Sequence, residues 1–245
     1  MLAAMSETPK PVYDAKGRRR SPATLPGFRR GVEPGNKGEK YESAVFEPDE
    51  VLRLLAAIDG NPSVRIRDRA MFAFLWRTGV RVAELINVRE MDLEEPTGYV
   101  RIRRTDTRRE RRVFLFGSRD ATDWGWQQLR PWIERRAELG IVRSAPLFCV
   151  AGGSTRGRPL GSPQMRTALK SYAKAAKVHG RFPMNGFRNT LAAEMYANGV
   201  SVGQVQRQLG HDTLSTTQAL LERIGVVEIL DDLHEYRAPW RSDEF

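Results

Sequence analysis

Cysteine is nearly absent from this chain: Cys149 is the only one among 245 residues. That excludes a disulfide framework and a cysteine-built zinc site, because either needs several thiols. Cys149 lies in the apolar run Leu147-Phe148-Cys149-Val150, a setting that suits a small buried core residue better than a nucleophile or a metal ligand. Long apolar runs are missing as well. No stretch approaches the ~18 residues that a membrane span needs, and the N-terminus has no signal-peptide apolar region, so a cytoplasmic protein is expected. There is no internal repeat at a solenoid period, and no motif calls for a cofactor or a metal.

What the sequence has in excess is positive charge. It carries 40 Lys and Arg against 30 Asp and Glu, a formal net charge of +10. Neutralising phosphates releases condensed counterions, so such a surplus favours a polyanionic partner, and double-stranded DNA is the first candidate. A merely solvated basic surface is the alternative. With 40% hydrophobic residues the chain can bury one good core, which implies one compact domain plus tails.

Residues 1–44 contain five of the fourteen prolines and the basic clusters Arg18-Arg19-Arg20 and Arg29-Arg30, with almost no apolar periodicity. They read as a flexible basic arm, which either touches DNA or is a leader without a role. The domain is expected over 45–235, followed by a tail at 236–245. It opens at Glu47-Pro48-Asp49-Glu50, where proline at a first helical position and acids in the first turn precede Val51, Leu54, Leu55 and Ile58 on one helical face. A second helix is expected from about Arg67 to Arg77, stopping at Thr78-Gly79, and another from Arg81 with Leu85 and Ile86 inward.

Around 99–116 the period changes to two, with Val100 and Ile102 alternating with Arg101 and Arg103, then Val113 and Leu115 after a polar turn, which is a β-hairpin. Trp126, Leu129, Trp132 and Ile133 mark a helix whose tryptophans recur at core spacing, with Pro131 in an early turn or at a kink. Leu147 to Val150 reads as a short strand. Helices follow from Ser162-Pro163 and at about 186–198, 202–208, 213–222 and 226–235. The fold class is therefore mostly α with a small antiparallel β-sheet.

Seven arginines fall between 101 and 112: Arg101, Arg103, Arg104, Arg108, Arg109, Arg111 and Arg112. An arginine-rich strand pair can lie against a duplex and contact phosphates or a narrow minor groove. The alternative, a solvated edge blunted against aggregation, would use mixed charges, and Asp106 and Glu110 supply little of that.

Three local constellations carry the chemistry. In Thr78-Gly79-Val80-Arg81-Val82-Ala83-Glu84-Leu85, Arg81 opens a helix just after a glycine cap. In Asn185-Gly186-Phe187-Arg188, Arg188 sits in a helical first turn. In Leu209-Gly210-His211, a helix stop precedes a histidine. Helix N-termini attract phosphate through free N–H groups, and a guanidinium adds bidentate recognition. Singly, each is as ordinary as a surface arginine or a structural histidine; their order is what matters.

In that order they resemble the boxes of the tyrosine recombinases, the phage integrase family: the first arginine box at Thr78–Leu85, the His-x-x-Arg box at Asn185–Arg188, and the Leu-Gly-His box at Leu209–His211 followed by Ser215-Thr216-Thr217-Gln218. The resemblance covers about 45–235 and implies that family's catalytic-domain fold. It also implies a phosphate clamp of Arg81, Arg188 and His211. Three matches fail. Asn185 replaces the family's histidine, Asp106 (with Arg104 nearby) stands at the hairpin lysine, and Leu220, nine residues after His211, stands where the tyrosine nucleophile belongs. Leucine cannot attack phosphorus.

The expected function is thus DNA binding without cleavage, as a regulator, repressor or accessory factor. An active recombinase for DNA integration or recombination, with Tyr236 or Tyr196 as a displaced nucleophile, is the alternative, and an inert mobile-element remnant is a third. The apolar face Val226, Ile229, Leu230 and Leu233 suggests self-association on DNA through the C-terminal helix, or packing within the chain.

Overall fold

The computed structural model describes residues 43–103, 110–117, 123–178 and 182–226. Helix α1 (Pro48–Ala56) starts as its sequence directs, with Pro48 in the first turn and the Glu47 backbone N–H donating to Glu50 Oε2 at 3.1 Å. It buries Val51, Leu54 and Leu55, and Ile58 just beyond joins them.

Helix α2 (Pro62–Thr78) is the central rod of the domain. It begins at Pro62 rather than near Arg67, because Asn61 Oδ1 accepts from the N–H groups of Ser63 and Val64 and caps the start. Every residue from Ala70 to Trp76 is buried, so this helix is covered on all faces by α4 (Trp124–Glu138) and α6 (Gly186–Ala197), among others. Such a helix shows little amphipathic contrast, which is why its true start is hard to read. The helix expected from Arg81, α3, is a single turn, Val82–Leu85.

The hairpin is present as β2 (Tyr99–Ile102) and β3 (Arg111–Phe114), antiparallel, with Val100 opposite Val113 and Ile102 opposite Arg111. A two-residue strand, β1 (Leu93–Glu94), adds to the outer side of β2 and completes a three-stranded sheet in the order β1-β2-β3. Val100, Ile102, Val113 and Leu115 are buried and hold the sheet on the helices.

Two expectations need correction. Leu147 to Val150 is not a sheet strand. It and the residue before it make only isolated bridges, Arg89 with Pro146 and Cys149 with Pro159, while Arg136 of α4 donates to the carbonyls of Pro146 and Leu147 at 2.6 and 2.7 Å. Pro131 lies in the middle of α4, which removes the early-turn alternative for it. The tryptophans do face the core: Trp126 and Trp132 are buried, and Trp132 Nε1 donates to Leu147 O at 2.8 Å. Cys149 is buried as expected; burial pushes its thiol up despite the nearby Arg136 and Arg67 guanidinium groups.

Helices α5 (Ser162–Ala175), α6, α7 (Val202–Leu209) and α8 (Leu214–Arg223) complete the domain. Leu191, Ala192, Met195, Val205, Leu209, Leu220 and Leu221 form a second apolar cluster among α6, α7 and α8. The helix expected over 226–235 lies outside the described residues after Val226. No helix among the described residues is long and apolar enough to cross a membrane.

Candidate nucleic-acid interface

Three helix junctions converge on one cleft. The first is the end of α2, where Gly79 takes φ +63° and sits so close to its neighbours that a Cβ would come within 2.9 Å of both Leu191 and Leu209. This tight reversal sets Arg81 at the mouth of α3, its backbone N–H donating to Glu84 Oε2 at 2.8 Å. The second is the start of α6. Phe46 stacks there on Phe182 and meets Phe187 edge-on, holding the helix's first turn. Arg188, only 7% exposed, donates to the carbonyls of Gly79 at 2.5 Å and Leu209 at 2.7 Å. The third is the end of α7, where Gly210 takes φ +67° and turns the chain to His211. His211 Nδ1 lies 2.9 Å from Oγ1 of the fully buried Thr217, which fixes the ring.

Arg81, Asn185, Arg188 and His211 all line this cleft, of about 710 Å³, as does Leu220. The three segments are separate in the chain, so their meeting is a result of the fold. Leu220, 6% exposed, belongs both to the cleft wall and to the second apolar cluster. Arg166 of α5 and Arg223 of α8 add two more guanidinium groups. Neither belongs to a motif, and sequence reading missed both; only the packing of α5 and α8 brings them here. Among the described lining residues there is no carboxylate, so the lining carries a surplus of positive charge. Neither Tyr196 nor any other described tyrosine lines it; Tyr196 packs on the second cluster. Tyr236, Asp106, Arg104, Arg108 and Arg109 lie outside the described residues.

The described hairpin arginines have acidic partners that the hairpin's own sequence did not suggest. Arg101 and Arg103 reach Asp92 at 3.2 and 2.7 Å, and Arg112 pairs with Glu94 and lies over the Tyr99 ring. Arg111 is taken up by Glu84. These carboxylates all precede the hairpin in the chain, where strand alternation gives no hint of them. Arg101, Arg103 and Arg112 keep a third to a half of their side-chain surface in solvent, whereas Arg111 is 15% exposed.

Glu84 is buried, and desolvation alone would push its carboxyl up. The Arg111 guanidinium and, behind it, Arg81 reverse this and hold it below its ordinary 4.5. A depressed carboxyl contributes stability that is full above its unfolded value and lost as pH falls through the folded one. Denaturant midpoints taken from about pH 6 to about pH 3.5 should therefore fall less for Glu84→Gln than for the wild type. Equal losses on acidification would take Glu84 out of the acid response.

Comparison with known proteins gives one consistent result. The model of the phage integrase family matches residues 44–221. The chain is 31% identical to the tyrosine recombinase XerD of Ralstonia nicotianae over 69% of its own length and 52% of the relative's. It spans about half to three-fifths of the length of the first curated relatives it matches. Among solved structures, XerA recombinase superposes with TM-score 0.61 at 22% identity, covering 84% of this chain and 68% of that one. Lambda integrase bound to DNA superposes with TM-score 0.54 at 20% identity, covering 72% and 59%. At those identities the structures show a shared fold.

Proposed function

The chain belongs to the phage integrase family, and on that premise we propose that it binds duplex DNA through the arginine-lined cleft and does not cut it. The observation that carries this reading is Leu220: an apolar side chain occupies the cleft wall nine residues after His211, where the family's nucleophile belongs. Arg81, Arg188 and His211, with Arg166 and Arg223, would hold one phosphate and its neighbours. The partly exposed Arg101, Arg103 and Arg112 would meet the backbone beside them. DNA as partner is further supported by the net charge of +10 and by the DNA-bound lambda integrase of the same fold. A phosphate clamp without an attacking group is a binding site, which suits a regulator, a repressor or an accessory factor.

The test is a salt titration of duplex affinity, after selection of a preferred site from a random library. If about four phosphates are neutralised, log affinity should fall with log salt at a slope of roughly −3.6. Replacing Arg81 and Arg188 together by alanine should flatten it to about −1.8. A slope untouched by that double change would remove the cleft from the interface. The same titrations address self-association: the apolar residues Val226, Ile229, Leu230 and Leu233 support DNA-promoted pairing of protomers. Deleting 225–245 should then abolish cooperativity, and unchanged cooperativity would refute the pairing.

A further inference from the structure

We infer that Arg111 is a positioning residue of the cleft and makes no contact with DNA itself. The inference rests on reading the cleft as a phosphate site, and it reverses the role that Arg111's place in a basic hairpin suggests. Its guanidinium donates through Nη1 to Glu84 Oε1 at 2.5 Å, and through Nη2 to Glu84 Oε2 and to the Leu209 carbonyl, both at 3.1 Å. Each acceptor already serves another member of the clamp. Glu84 Oε2 also accepts the Arg81 backbone N–H, and Leu209 O also accepts from Arg188. A single planar fork thus ties the α3 turn that carries Arg81 to the α7 end that precedes His211 and receives Arg188.

The fit on the third side is close. Gly210 faces the Arg111 side chain, and a Cβ at Gly210 would lie 2.4 Å from Nε and 2.5 Å from the guanidinium carbon. Glycine is favoured here by φ +67°, and a side chain at this position would also have to displace Arg111. With 15% of its side chain exposed and its fork directed at Glu84 and Leu209, Arg111 has little left to offer a phosphate. Its neighbour Arg112, half exposed, points the other way and pairs with Glu94. Lysine preserves the charge at 111 but not the planar fork, so Arg111→Lys separates positioning from charge.

The experiment is a double-mutant cycle on duplex affinity at fixed salt, using the full chain and a random-sequence duplex as probe. The variants are Arg111→Lys, Arg188→Ala and both together, with Arg143→Lys, an exposed arginine outside the cleft lining, as control. Arg111→Lys is expected to weaken binding about tenfold with no change in net charge, the scale of a lost charge-assisted bond. The double variant is expected to bind within about twofold of Arg188→Ala, because a disordered clamp has nothing more to lose. Arg143→Lys should bind as the wild type does. Full affinity in Arg111→Lys, or additive losses in the cycle, would overturn the inference.

If Arg188→Ala itself leaves affinity unchanged, the phosphate reading of the cleft has failed, and Arg111 is judged by amide exchange instead. Exchange at Gly210, His211 and Val82 should then be about tenfold faster in Arg111→Lys and unaltered in Arg143→Lys, and no acceleration would refute the positioning role. Glu84→Gln, which leaves Arg111 in place and neutralises its partner, approaches the same link from the other side. It should reproduce the loss seen with Arg111→Lys, and wild-type affinity there would count against the link.

Discussion

Incubated with a nicked suicide duplex that carries its selected site and run on a denaturing gel, the protein is expected to show no covalently shifted band. The side chain at the cleft wall, Leu220, has no atom that can attack phosphorus. Arg81, Arg188 and His211 can stabilise charge growing on a phosphate, but water is then the sole attacker, and hydrolysis discards the bond energy that a phosphotyrosine would store for religation. Slow nicking is the most that the residual site should give.

Leu220→Tyr restores a phenol and should yield a trace of adduct at best. Asn185 cannot take up a proton as a histidine does, and the hairpin position that aligns with the family's lysine is Asp106. Each missing proton-transfer group is worth roughly 10²–10⁴ in rate. Leu220 is also part of the second apolar cluster, so a larger side chain has to displace packing before it can reach the cleft. An abundant wild-type band, abolished by Tyr196→Phe or Tyr236→Phe, would refute the non-cleaving reading and establish a displaced nucleophile.

The largest loss of stability is expected at Arg136, which is completely buried in α4. Its guanidinium donates to the carbonyls of Pro146, Leu147 and Val142, to Cys149 Sγ at 3.3 Å and to Glu90 Oε2 at 3.3 Å. Arg136→Met keeps much of the volume and strands these acceptors in the core without a donor. Removing one partner from such a buried set costs about 3–5 kcal/mol, which in a domain of this size lowers the melting temperature by roughly 10 °C or more. Arg112→Met, which breaks the half-exposed pair with Glu94, should cost under about 1 kcal/mol. Urea unfolding of the two variants side by side decides this, and similar midpoints would show that Arg136 is replaceable.

These residues also mark where the sequence could and could not be read. The three segments that meet in the cleft were legible because each is a local signal, a glycine cap or a helix start beside a cation, and local signals survive without knowledge of the fold. Their order along the chain then identified the family and with it the mixed helical architecture. The ion pairs were not legible. Arg111 finds Glu84 twenty-seven residues earlier, and Arg188 finds Gly79 at a separation of 109. In sequence, an arginine that stitches the fold is indistinguishable from one that meets solvent or DNA. Arg136, Arg166 and Arg223 sit on helix faces with no motif around them, so only tertiary packing reveals that one is core and two are cleft. The run Leu147–Val150 had the composition of a strand, but its carbonyls at Leu147 and Cys149 accept from the side chains of Arg136 and Arg67 and it forms only an isolated bridge.

Gln208 carries one more implication. Its Nε2 donates to the carbonyls of Thr78 and Phe114, and its Oε1 accepts the Phe114 backbone N–H. One buried amide thereby sews together the end of α2, the last strand of the sheet and α7. Detaching any one of the three leaves polar groups of the other two stranded, so they have little reason to come apart separately. Arg81 follows the first of them and His211 the last. His211 and Arg81 are accordingly expected to loosen together rather than one at a time when this amide is removed.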